Sequence, residues 1–254
     1  MRALLTPKWI TAHIVVLVVS VAFVSLGMWQ LRRLDDRRLM NAVGEARFEA
    51  DPVDAFVLVS AAGDDLDSLD HYRAVATGTF VPESEVLIRS QVYRDVAGFD
   101  VITPLVAEDG TAVLVNRGWV PLEMDQVPVA QAPPPAGVVT VEGWLAPTQE
   151  RKALGPTDPE TGDLTTMSRV DIDRIQEQVS FPLLPVYLVE MGERGADLPV
   201  PLAEPTFDDE GPHLAYAIQW FAFLAIGVIG YGFLIRKSLQ SSGRSGEEGE
   251  VLDD

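Results

Sequence analysis

Two uncharged apolar runs set the limits of what this 254-residue chain can become. Residues 9–31 contain 23 positions without a charge, and residues 214–235 contain 22 more. At about 1.5 Å of helical rise per residue, each run exceeds the roughly 30 Å hydrocarbon core of a bilayer, with length left for tilt. Trp9 and Trp29 sit near the ends of the first run, and Tyr216 and Trp220 open the second, where aromatic rings anchor at the lipid–water interface. A cleaved signal peptide would have a shorter apolar region of about 7–15 residues and a small-residue cleavage site. Neither is visible, so the chain is expected to keep two transmembrane helices, 9–31 and 214–235.

Two spans put both termini on one side. Arg236, Lys237 and Arg244 follow the second span, whereas Asp208, Asp209 and Glu210 precede it. That asymmetry places the C-terminal segment 236–254, and with it residues 1–8, in the cytoplasm. Arg32, Arg33, Arg37 and Arg38 argue the other way at the first span, but a segment as long as 32–213 is translocated largely regardless of its charge. No transit-peptide pattern precedes the first span. Lys is scarce beside Arg, as in GC-rich bacteria, so a multi-pass protein of the bacterial plasma membrane is expected. The tail 236–254 is Ser/Gly/Glu-rich and ends in the acidic run from Glu247, a composition that favours disorder.

The formal net charge is −19, and all of it falls within 32–213. Phosphates would be repelled and no basic stripe offsets that, which excludes a general nucleic-acid binder. Zero cysteines exclude disulfides, thiolate metal sites and thiol catalysis.

Within 32–213, residues 31–48 carry helical spacing and extend the first span. Strand signals then dominate at 72–80, 85–93, 100–106, 111–120, 138–145 and 184–189, with Asp109-Gly110 as a hairpin turn. Val170, Ile172, Ile175 and Val179 recur at helical spacing. His71 and the Pro-rich and 154–163 stretches read as loops. The fold class is therefore membrane α+β: two transmembrane helices flanking one exported, acidic, mainly antiparallel β domain with one or two helices, of a kind that can close into a barrel. No dinucleotide, phosphate-loop, nucleophile-elbow or HExxH motif occurs. The Asp64, Asp65, Asp67, Asp70 cluster lacks the glycine and closing glutamate of an EF-hand loop and reads as a solvated acidic loop.

Three local patterns resemble the surfeit locus protein 1 family of cytochrome c oxidase assembly factors. They are Gly27-x-Trp29-Gln30-Leu31-x-Arg33 at the end of the first span, Asn116-Arg117-Gly118-Trp119-Val120-Pro121 after the Asp-Gly turn, and Pro212-His213-Leu214-Ala215-Tyr216 through Gln219-Trp220-Phe221 at the start of the second. The resemblance spans the chain. It implies a non-enzymatic protein that helps haem a placement in, or stabilises, the oxidase catalytic subunit. It also implies haem a as a transient cofactor, with that subunit, other respiratory-complex subunits and membrane lipid as partners. The alternative is a stably bound accessory subunit without its own cofactor, whose acidic domain steers a basic electron carrier.

Helical spacing puts His213, Tyr216, Ala217, Trp220, Leu224 and Gly227 on one stripe. His213 is the candidate haem iron ligand, with Tyr216 and Trp220 as flanking haem contacts. The plainer reading is a polar helix start above an aromatic belt, packed through Gly227 against the first span. Arg117 and Trp119 are candidate partner contacts. An intradomain ion pair and stacking on the tryptophan are the plainer reading for Arg117. Gln30 and Gln219 are expected to bridge helices, and His13 to reach the interface as a neutral side chain.

Overall fold

The computed structural model describes residues 2–151, 153, 155–195 and 197–247, leaving aside the side chains of 2, 3 and 241–247. It has two compact units. One comprises residues 1–41 with 208–254, the other residues 42–207.

The first unit is a pair of helices. Helix α1 runs Pro7–Glu49, and α4, the last helix of the chain, runs His213–Glu247. Both are long and apolar enough to cross a membrane. Residues 236–247, expected to belong to a disordered tail, continue α4, because extending an existing helix is far easier than nucleating one. Residues 248–254 of that tail lie outside the described residues.

The second unit is a β domain. After β1 (Val53–Asp54) and α2 (Ala55–Ala62) come β2 (Arg73–Phe80), β3 (Val86–Tyr93), β4 (Val96–Val106), β5 (Ala112–Pro121) and β6 (Val138–Pro147). Then follow β7 (Thr166–Met167), α3 (Ile172–Gln176) and β8 (Leu183–Glu190). The ladder β2–β6–β8–β5–β4 closes on itself through a β4–β2 pairing, making a five-stranded barrel. Closure removes the sheet edges that would otherwise invite aggregation. The β5–β8 pair is parallel and the other four barrel pairings are antiparallel. At eleven residues, β4 is long enough to serve two neighbours on one side: Val96–Ile102 faces β3, and Leu105 and Val106 face β2.

Small and branched side chains fill the barrel. Ala74, Ala76, Leu105, Val113, Val115 and Leu188 are all nearly solvent-free. A second cluster, including Ile102, Leu114, Met167 and Ile175, packs the outer face beneath β7 and α3.

The six expected strands are present, with two adjustments. β4 begins at Val96, four residues before the expected start, because Arg94 and Asp95 turn the chain with φ of 48° and 63° and no glycine. The helical spacing over 170–179 yields only Ile172–Gln176, capped by Asp171 accepting from the Arg174 amide. Helix α2 was not expected; Asp54 caps it by accepting from the amides of Phe56 and Val57.

Candidate functional site

Arg117 and Trp119 lie inside the β domain, where neither presents itself to a partner. The Arg117 side chain is 4% exposed and that of its ion-pair partner Glu85 is 0%. Arg117 Nη1 donates to Glu85 Oε2 at 3.3 Å and Nη2 to the Ala132 carbonyl at 2.9 Å. Glu85 also accepts from Thr103 Oγ1 and from the Val129 amide, both at 2.8 Å. Burial works against the Arg117 charge, and Glu85 and Glu190 counter it. The ring beneath the guanidinium is Phe80, at 5.6 Å, not Trp119.

The Asn116–Trp119 motif is a piece of construction. Gly118 adopts a φ of 121°, and a Cβ there would run into the Val200 carbonyl. That close approach lets Trp119 and Val200 exchange backbone hydrogen bonds of 2.7 and 2.8 Å. Asn116 holds the irregularity by accepting from the Gly118 amide and donating to Asp100 Oδ2. Trp119 is 9% exposed and stacks near Tyr93, with centroids 5.4 Å apart, while its Nε1 is buried without a hydrogen-bond partner among the described residues. Burial pushes the Asp100 carboxyl up to about 6, against the Asn116 hydrogen bond.

The helix pair offers different chemistry. Half-buried or buried positions of α1 recur at 9, 13, 16, 20, 23, 27, 30 and 34, an alternation of four and three that marks a left-handed seam. Gly27 allows a close approach on it: a Cβ there would lie 2.6 Å from the Phe221 ring. Ala217 is nearly solvent-free on the facing helix. Gly227, expected to make this approach, is exposed, and a Cβ added there would meet nothing within 4 Å. Phe23 packs against Trp220 and Phe223, with centroids 5.7 and 6.0 Å apart.

His213, the first residue of α4, meets Gln30 of α1. Its Nδ1 lies 2.9 Å from Gln30 Oε1. An amide oxygen only accepts, so Nδ1 is the donor in this contact and Nε2 is the nitrogen it leaves over. Nε2 has no hydrogen-bond partner among the described residues. A clasp just before α4 fixes this placement. Arg38 grips Glu210 through Nε and Nη2 at 2.7 and 3.0 Å, while Arg37 and Asn41 donate to the Asp209 carbonyl.

The other candidates separate. Trp220 is half-buried on Phe23, whereas Tyr216 is 47% exposed and off the contact stripe. No ring contact joins His213 to either among the described residues. Gln219 is exposed and makes no hydrogen bond among them. At the other end of the pair, His13 is bracketed by Tyr231 Oη at Nδ1 and the Leu4 carbonyl at Nε2. Among the described residues no three His, Asp or Glu side chains converge as a metal site, the 64–70 stretch included.

The match to the SURF1 family model covers residues 17–225, and so takes in most of α1, the whole barrel and the first part of α4. The chain belongs to the SURF1 family. It is 31% identical to a SURF1-like protein of Monosiga brevicollis, over 89% of this chain and 88% of that one. An uncharacterized SURF1-like protein of Mycobacterium bovis is 26% identical over 95% of this chain and 88% of its own length. A SURF1-like protein of Rickettsia felis is 24% identical, covering 90% of this chain and 98% of its own. Each relative is matched along 88% or more of its own length.

Proposed function

We propose that this SURF1 protein is an assembly factor for haem–copper cytochrome c oxidase, contacting the catalytic subunit and, transiently, haem a. The family is known generally for oxidase assembly. The observation that carries the haem reading is the state of His213: Nδ1 spent on Gln30, Nε2 uncommitted. Metal-binding imidazoles are commonly held in this way, with the remote nitrogen donating to a fixed acceptor that sets the tautomer and ring orientation. The donor set fits a haem, whose iron takes an axial nitrogen. Gln30 orients the ring, the Arg37–Asn41 clasp positions the helix start, and exposed Tyr216 one turn on adds an apolar face.

His213→Ala tests this. The variant should accumulate normally, alter the reduced haem spectrum of the purified protein and lower the haem a content of the oxidase. Normal accumulation with full haem a content overturns the ligand role.

The −19 charge of segment 32–213 favours a second reading, an accessory subunit whose domain attracts a basic partner. Purified mature oxidase separates the two, since an assembly factor is substoichiometric and a subunit is not. Both readings have the chain in the bacterial plasma membrane with its termini cytoplasmic. Protease added to intact spheroplasts should then cut 32–213 and spare a C-terminal tag.

A further inference from the structure

The end of the helix pair opposite His213 holds a concave site of its own. A cavity of about 460 Å³ lies between the two helices, lined by Lys8, Trp9 and Ala12 of α1 and by Tyr231, Leu234 and Lys237 of α4. Its aromatic wall is built, not incidental. Trp9 and Tyr231 face each other with centroids 6.3 Å apart, and His13 touches both rings at 5.9 and 5.7 Å. The hydrogen bonds between His13 Nδ1 and the Tyr231 hydroxyl and between Nε2 and the Leu4 carbonyl hold that wall in place and leave neither ring nitrogen of His13 for a ligand.

The charges here are unbalanced. Lys8 and Lys237 make no ion pair among the described residues. No Asp or Glu occurs anywhere in residues 1–31 or 211–246. Two ammonium groups therefore share one cavity without a carboxylate in either helix segment to neutralise them. Apart from Ser238, the remaining lining is the largely apolar set Trp9, Ala12, Tyr231 and Leu234, and Leu234 is 59% exposed. A ligand that satisfies both halves carries a negative head and apolar chains.

We propose that this cavity binds one anionic glycerophospholipid. Its phosphate lies between Lys8 and Lys237, its ester region against Trp9 and Tyr231, and its acyl chains run down past Ala12 and Leu234. Basic pockets between membrane helices select anionic head groups in this way, and aromatic rings sit at the depth of the ester region. A zwitterionic lipid brings no net negative charge, because its own cationic group offsets its phosphate, whereas an anionic lipid offsets one of the two lysine charges.

The full-length protein, purified in mild detergent and offered equal phosphatidylglycerol and phosphatidylcholine, tests this by native mass spectrometry. The wild type should retain one phosphatidylglycerol. Lys8→Gln/Lys237→Gln should weaken retention at least tenfold, and Lys8→Arg/Lys237→Arg should preserve it, which guards against misfolding as the cause of the loss. Arg236→Gln removes a charge at the same end but outside the cavity, and should retain the lipid. Equal retention of phosphatidylcholine, or equal loss in Arg236→Gln and the double Gln variant, overturns the proposal. So does complete displacement of the lipid by millimolar inorganic phosphate, which would make the cavity a site for free anions.

Discussion

Arg117 in the β domain and His213 at the end of the helix pair are both polar residues in family-like motifs, yet their surroundings differ in kind. The Arg117 guanidinium is enclosed, and Glu85 beside it accepts from three separate donors. His213 is half-exposed and holds one bond, leaving its second nitrogen open. A buried charge must be satisfied internally or it destabilises the fold, so the charges buried with Arg117 are spent on one another. A helix end at an interface has no such requirement. Chemistry directed outward belongs at the second kind of place.

The contrast can be broken most forcefully at Arg117. Arg117→Ala leaves the Glu85 carboxylate buried without its counter-charge and should destabilise the β domain by about 3–5 kcal/mol, read by urea unfolding of the full-length protein. A loss under about 1 kcal/mol would mean that the pair contributes little to folding, and would make Arg117 a partner contact after all.

Asp100 comes next, with the opposite sign. Its carboxyl, raised from 3.8 to about 6 by burial, holds its proton in the fold over a range where the unfolded chain has already lost it. The associated stability is complete below about pH 4, declines as pH rises from about 4 to 6, and is absent above. Two pH units correspond to roughly 3 kcal/mol, so Asp100→Asn should stabilise the domain at pH 7–8 by up to about that amount and not at pH 4. Parallel stability curves for the two proteins would refute the buried-carboxylate account.

Gly27→Leu should act on the helix pair alone. The added side chain meets the Phe221 ring, and forcing the helices apart costs about 1–3 kcal/mol. Cysteines placed at 30 and 213 in this cysteine-free chain should cross-link less efficiently in that background, with the β domain unfolding as before. Undiminished cross-linking would show that the seam does not pass through Gly27.

The smallest stability effect is expected at His213 itself. His213→Ala at a half-exposed helix start should change unfolding by less than about 1 kcal/mol. A large loss would make His213 a structural residue like Arg117, and the comparison would collapse.

Much of this was legible in the sequence because period-two and period-3.6 patterns are local. The six strands, the Asp109-Gly110 turn and the extension of the first span to residue 49 all follow from neighbours in the chain. The Arg94-Asp95 turn was hidden because left-handed φ values normally advertise themselves through glycine or asparagine. Helix α2 was hidden because Ala55–Ala62 is apolar nearly throughout and shows no period of either kind. In the site, the chemistry of His213 was readable but its partner was not, since Gln30 lies 183 residues away. The seam itself was hidden too: the four-three spacing from Trp9 to Leu34 is one of burial, and in the sequence these positions lie unmarked in a run that is apolar almost throughout. For Arg117 the ion pair was the plainer reading, but its mate was not readable, since Glu85 lies 32 residues away, and the ring beneath it is Phe80 and not Trp119.

The closure of the barrel is uneven around its circumference. β2 and β6 share seven residue pairs, from Arg73–Trp144 to Thr79–Val138, whereas β2 and β4 are stitched by only Thr79–Val106 and Phe80–Leu105, with one further bond from the Val81 amide to the Pro104 carbonyl. Few bonds have to break together there for the staves to part, so this seam is where the barrel breathes. In deuterated solvent the amides of Phe80, Val81 and Val106 should exchange through local opening, well ahead of those along β2–β6, which wait for the whole domain to unfold.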